Sequence, residues 1–97
     1  MSIIKFVEIA RELDIAEGKD YKLREIYINP EHVVFMREDE NALRLFNENK
    51  LPKNLDKRQR FTRIAVQKGT NGQEFVVVGA PELVEKKLFS DKQLLRG

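Results

Sequence analysis

The chain of 97 residues has no cysteine, no tryptophan and a single histidine. Without cysteine there is no disulfide framework, no thiolate metal site and no cysteine nucleophile. Its two serines, Ser2 and Ser90, lie near the chain ends in no nucleophile-elbow context. Long hydrophobic runs are also missing. The longest, Val33 to Met36 and Phe75 to Val78, extend over four residues, whereas roughly 20 are needed to cross a bilayer. Lys5, Glu8 and Arg11 interrupt any apolar targeting stretch at the N-terminus. These absences predict a cytoplasmic protein with no membrane partner and no cofactor, and they place an enzyme behind a binding protein.

What is present is enough for one core. Leu, Ile, Val and Phe supply 31 of the 97 residues, well above the roughly 20% below which a chain is expected to stay disordered. The length suits a single domain over 1–97. A domain this small buries only about two-thirds of its unfolded surface, so apolar area contributed by a partner chain would matter.

Read along the chain, Ile3 to Ile9 is apolar and β-branched and predicts a first strand, with a loop over 10–20. Tyr21 to Ile28 mixes charged and apolar residues on both faces, as an edge strand does. Asn29-Pro30-Glu31 is a turn signal, because Pro30 fixes its own φ and biases Asn29 away from the helical region. His32 to Glu38 then predicts a strand, and the unbroken run from Val33 to Met36 implies burial on both faces.

Asn41 is the expected cap of a short helix over 41–47, with Leu43, Leu45 and Phe46 as its apolar positions. The segment 47–59, polar and containing Pro52, predicts a mobile loop with few apolar anchors. Phe61 to Gln67 and Phe75 to Val78 form an expected hairpin joined by the five residues 68–72, which contain Asn71-Gly72. Pro81 and Glu82 suit the start of a helix. Leu83, Val84, Leu88 and Phe89 would be its stripe, and a separate last turn is expected after Ser90 or Asp91. Strands followed by a helix predict an α+β domain: a four- or five-stranded, mainly antiparallel sheet with a C-terminal helix and one short inserted helix.

The charges are unevenly placed. The net charge is +2, and residues 51–70 carry six basic residues against one acidic. Lys53, Lys57, Arg58, Arg60, Arg63 and Lys68 are therefore the candidate binding surface. With aromatics at Tyr21, Tyr27 and Phe61, such a segment could grip a nucleic-acid backbone and stack a base. The competing reading is a solvated loop whose charges offset the acidic N-terminal half. Glu38-Asp39-Glu40 lacks the spacing of a calcium loop and predicts a solvated turn at a helix start. His32 directly follows the turn and is expected to cap the strand or hydrogen-bond locally.

Ile28-Asn29-Pro30-Glu31-His32-Val33, Thr62-Arg63-Ile64-Ala65-Val66, Gly72 before Phe75-Val76-Val77-Val78, and the helical stretch from Pro81 to Leu88 together resemble a class of very short bacterial and phage β-proteins. That class includes the flagellar and swarming-motility FlbD-like family. The resemblance covers about half of the chain, and the N-terminal extension and the segment 39–60 depart from it. It implies a small regulatory or interaction module without a cofactor. A LytTR-type DNA-binding domain has a comparable order of elements, but the chain ends at Gly97 without that family's closing strand, which ranks it second.

The function expected is a small non-catalytic regulatory module acting through protein–protein contacts. The alternative is a nucleic-acid-binding regulator using the basic 53–68 segment. Apolar residues on both faces of Val33–Met36 and Phe75–Val78 also predict a homo-oligomer: the C-terminal helix can cover only one face of the sheet, the short 41–47 helix could cover part of the other, and a second subunit is the remaining candidate.

Overall fold

The computed structural model describes residues 3–11 and 21–90, and the helical backbone onward to Arg96. Strands β1 (Ile4–Arg11) and β2 (Tyr21–Ile28) form an antiparallel hairpin, paired from Ile4 opposite Ile28 to Arg11 opposite Tyr21. The first strand thus runs past Ile9: Ala10 is buried and Arg11 still has a cross-strand partner. The rest of the expected 10–20 loop, residues 12–20, lies outside the described residues.

Asn29 to His32 form the turn the sequence announces. The Asn29 side chain accepts a 3.0 Å hydrogen bond from the Glu31 N–H, and Pro30 opens a single 3-10 turn. The His32 backbone N–H donates to the Asn29 carbonyl and closes the turn. Strand β3 (Val33–Glu38), helix α1 (Glu40–Asn47), strands β4 (Phe61–Lys68) and β5 (Asn71–Val78), and helix α2 (Pro81–Arg96) follow.

The five strands make one sheet in the order β2-β1-β5-β4-β3, with all neighbours antiparallel. Thus β2 and β3, consecutive in the chain, occupy opposite edges. Strands lie about 4.8 Å apart, so a flat five-stranded sheet would separate its edges by about 19 Å. A four-residue link that is mostly 3-10 turn, rising about 2 Å per residue, does not reach that far. The sheet must curl, and it does. Phe6 and Ile28 of the first hairpin share a core with Ile64 of β4 and Val77 of β5, into which α2 inserts Val84 and Leu88.

A second core lies on the other face, where Ala42 and Leu45 of α1 meet Leu51 and Phe61. The Phe46 and Phe61 rings pack edge to face at 5.8 Å. Both faces therefore carry apolar residues, and a different helix covers each.

Several expectations are corrected. Strand β3 is an edge, paired only with β4 among the described strands. Its register shifts between Val33 and Phe35, and this bulge turns both Val34 and Phe35 outward. Helix α1 begins at Glu40, and its cap is Asp39, whose carboxylate accepts the Ala42 N–H at 2.9 Å. The helix ends in a left-handed residue, Asn49 at φ 60°, with Lys50 N–H bonded back to the Leu45 carbonyl.

That exit sends the chain straight to Leu51. The segment 47–59 has no strand or long helix beyond Asn47, but buried Leu51 and half-buried Leu55 anchor it to the second core. The β4–β5 connection is two residues, Gly69-Thr70, because Lys68 already pairs with Asn71. Gly69 takes φ +62° at the first turn position, which L side chains adopt rarely. Helix α2 is continuous to Arg96, with no separate last turn. Leu83 is 63% exposed and stands off the buried stripe of Val84 and Leu88.

Candidate functional site

The six basic candidates do not form one surface. Strand β4 separates Arg60, just before it, from Lys68 at its far end, roughly 25 Å away at about 3.4 Å per residue. Lys53, Lys57 and Arg58 are exposed on the segment leading to β4. There the Asp56 side chain accepts the Arg58 N–H at 2.9 Å, shaping the local turn.

Arg60 and Arg63 are already engaged. Arg60 binds Glu38 at the end of β3 through two bonds, Nε to Oε2 at 2.7 Å and Nη2 to Oε1 at 3.0 Å. Its Nη1 also reaches Glu82 in the first turn of α2 at 3.2 Å. The fork matches a carboxylate in two places at once, which a lysine could not do. The hydrogen bond from Arg60 holds the Glu38 carboxyl below its ordinary pKa, and the same pairing raises that of the guanidinium.

Arg63 lies on β4 and pairs with Asp39, Nε to Oδ2 at 3.1 Å, and with Glu74 of β5 at 3.1 Å. Its pKa is raised first by the bond to Glu74, with Asp39 adding to it. The Asp39 side chain is only 3% exposed, and its two oxygens divide the work: Oδ1 caps α1 and Oδ2 receives Arg63. The acidic cluster at 38–40 is therefore not simply a solvated turn. Two of its members meet Arg60 and Arg63, two of the three arginines of the basic segment, and tie β3, α1, β4 and α2 together.

The backbone reinforces this junction. The Asp39 N–H donates to the Phe61 carbonyl and the Gly79 N–H to the Arg60 carbonyl, while buried Thr62 Oγ1 donates to the Gly79 carbonyl at 2.8 Å. These contacts describe a structural joint. Among the described residues, no three His, Asp or Glu side chains gather as metal ligands would.

Of the exposed large apolar residues, which include Ile3, Tyr27 and Leu83, two are adjacent on β3. Val34 is 61% exposed and Phe35 is 42% exposed. The Arg37 guanidinium sits over the Phe35 ring, 5.4 Å from its centre. Beside them a shallow groove of about 500 Å³ runs across β4 and β5, lined by Ala65, Gln67, Gln73 and Glu74. This surface escapes a reading of hydrophobic runs, because Val33 to Met36 has the same composition whether the strand is central or at an edge. No local signal in the sequence separates the two cases, because a four-residue turn also joins neighbouring strands of a hairpin.

No described helix is long and apolar enough to cross a membrane. No protein-family model matches the chain, and comparison with the curated proteins and with the solved structures returns no significant match.

Proposed function

We propose that the protein is a small non-catalytic regulatory module acting through protein–protein contacts, and that its contact surface is the Val34–Phe35 edge of β3 with the adjoining groove. The observation that carries this reading is the pair of exposed apolar side chains on a sheet edge with no further strand beyond it among the described residues. Apolar edge residues of this kind are costly to leave in water and productive to bury. A second copy of the chain is the first partner to test, since a net charge of +2 opposes self-association only weakly. The resemblance to very short β-proteins points to the same class of function.

Sedimentation tests this directly. The wild type is expected to exceed its monomer mass at micromolar concentration, and Val34→Lys with Phe35→Lys to return it to 11.4 kDa. A wild type that stays monomeric throughout removes self-association. The remaining reading is nucleic-acid binding by the basic 53–68 segment. With Arg60 and Arg63 held by carboxylates, Lys53, Lys57 and Arg58 are the cations best placed for phosphate. Three contacts imply a log–log salt slope of about −2 to −3. Binding to DNA or RNA with that slope, reduced in Lys57→Ala/Arg58→Ala, would replace the protein-contact reading.

A further inference from the structure

The interior of the curled sheet is closed at one end and open at the other. Where β5 finishes, Gly79 at φ +133° turns the chain into α2, and Val84 and Leu88 seat against Phe6, Ile64 and Val77. At the opposite end, near the Gly69-Thr70 turn, a cleft of about 400 Å³ lies between the first hairpin and β4–β5. Ile3, Ile26 and Ile28 line one wall, and Val66 and Phe75 the other.

Tyr27, Asn29, His32 and Lys68 complete the lining and make its rim polar. Unlike Arg60 and Arg63, Lys68 has no carboxylate partner among the described residues.

We propose that this cleft binds a small soluble amphiphile with an apolar body and one carboxylate, the carboxylate facing Lys68. The mouths of curled and closed β-sheets are recurrent ligand sites, and such sites have volumes of about 300–1,000 Å³. The walls formed by Ile3, Ile26, Ile28, Val66 and Phe75 disfavour a ligand charged along its whole length, such as a nucleotide, whose several charges would lose their water against apolar side chains. Lys68 disfavours a cationic head and attracts an anionic one that remains partly hydrated at the rim. The volume suits one medium-length alkyl chain and is small for a two-chain lipid.

The site is separate from the Val34–Phe35 surface, so either can fail alone. The test is an amide chemical-shift titration with decanoate, decanol and decyltrimethylammonium, all below their aggregation limits. Decanoate is expected to shift the amides of Ile26, Ile28, Val66 and Phe75. Its dissociation constant should be on the order of 0.1–1 mM, as for other ligands of about a dozen heavy atoms.

Decanoate should bind about tenfold more tightly than the other two probes. Lys68→Met, an exposed change at a strand end, should remove that advantage and leave the spectrum of the free protein otherwise intact. Absence of shifts at these four amides, or shifts centred on Val34 and Phe35, overturns the site. Equal binding of decanoate and decanol, unchanged in Lys68→Met, overturns the carboxylate. Binding seen only with decanoate-loaded vesicles overturns the proposal of a soluble ligand.

Discussion

The two edges of the sheet handle exposure differently. Edge β2 presents Lys22, Arg24 and Glu25, and Lys5 on the neighbouring strand reaches Glu25 at 3.1 Å. Edge β3 presents Val34 and Phe35 at a bulge. Charge discourages another strand from pairing, and a bulge distorts the edge. Edge β2 leaves the single ring of Tyr27 in water beside charged residues, whereas β3 exposes two apolar side chains side by side. The two edges are also anchored differently: β2 by Arg24 bound to the buried Glu8 at 2.9 Å, and β3 by the Asp39–Arg63 and Glu38–Arg60 pairs at its end.

Breaking these anchors gives a graded series. Asp39→Ala should be the most costly, because it removes the α1 cap and leaves Arg63 with one carboxylate fewer. A loss of about 2–3 kcal/mol is expected in urea unfolding. Arg24→Ala at the other edge strands the Glu8 carboxylate in a nearly buried position. It should cost about 1–2 kcal/mol, read as a fall in Tm of roughly 4–15 °C for a domain of this size. If the order of these two variants reverses, β2 is the better-anchored edge.

The smallest effect is a pH dependence. The folded-state pKa of Glu38 lies below its unfolded value because Arg60 donates to the ionised carboxylate. The pair therefore stabilises the fold above the unfolded pKa, near 4.5. That contribution is lost as the pH falls through the lower folded value. Glu38→Gln should be less stable than wild type at pH 6, and the two curves should converge toward pH 3. Parallel curves would show that the pair contributes nothing beyond geometry, as many exposed ion pairs do.

The fold was legible wherever the chain spells out a local event. Asn29-Pro30 marks its turn, Pro81 starts its helix, and the mixed charges of Tyr21–Ile28 mark an edge strand, all as found. The reading failed where the deciding fact was long-range. Nothing local separates a buried Val33–Met36 from one turned outward by a bulge. Arg60 and Glu38 stand 22 positions apart, and Arg63 and Asp39 stand 24 apart. The acidic cluster and the basic segment were each visible as a run of charge, but their pairing was not. Hence Arg60 and Arg63 looked available to a ligand and are in fact joints. Asp39 displaced Asn41 as the cap because its carboxylate satisfies the helix and an arginine together.

The pairing of Glu8 with Val77 joins strands at nearly opposite ends of the described chain. Contacts of such long sequence separation form late, since the loop between them must first be closed at an entropic cost. During synthesis at about 5–20 residues per second, β1 emerges several seconds before β5 exists to receive it. Until then the first hairpin has two open edges, and Phe6 and Ile28 have no interior to enter. The nascent chain thus passes through an interval in which its first strands are complete and their core is still unmade.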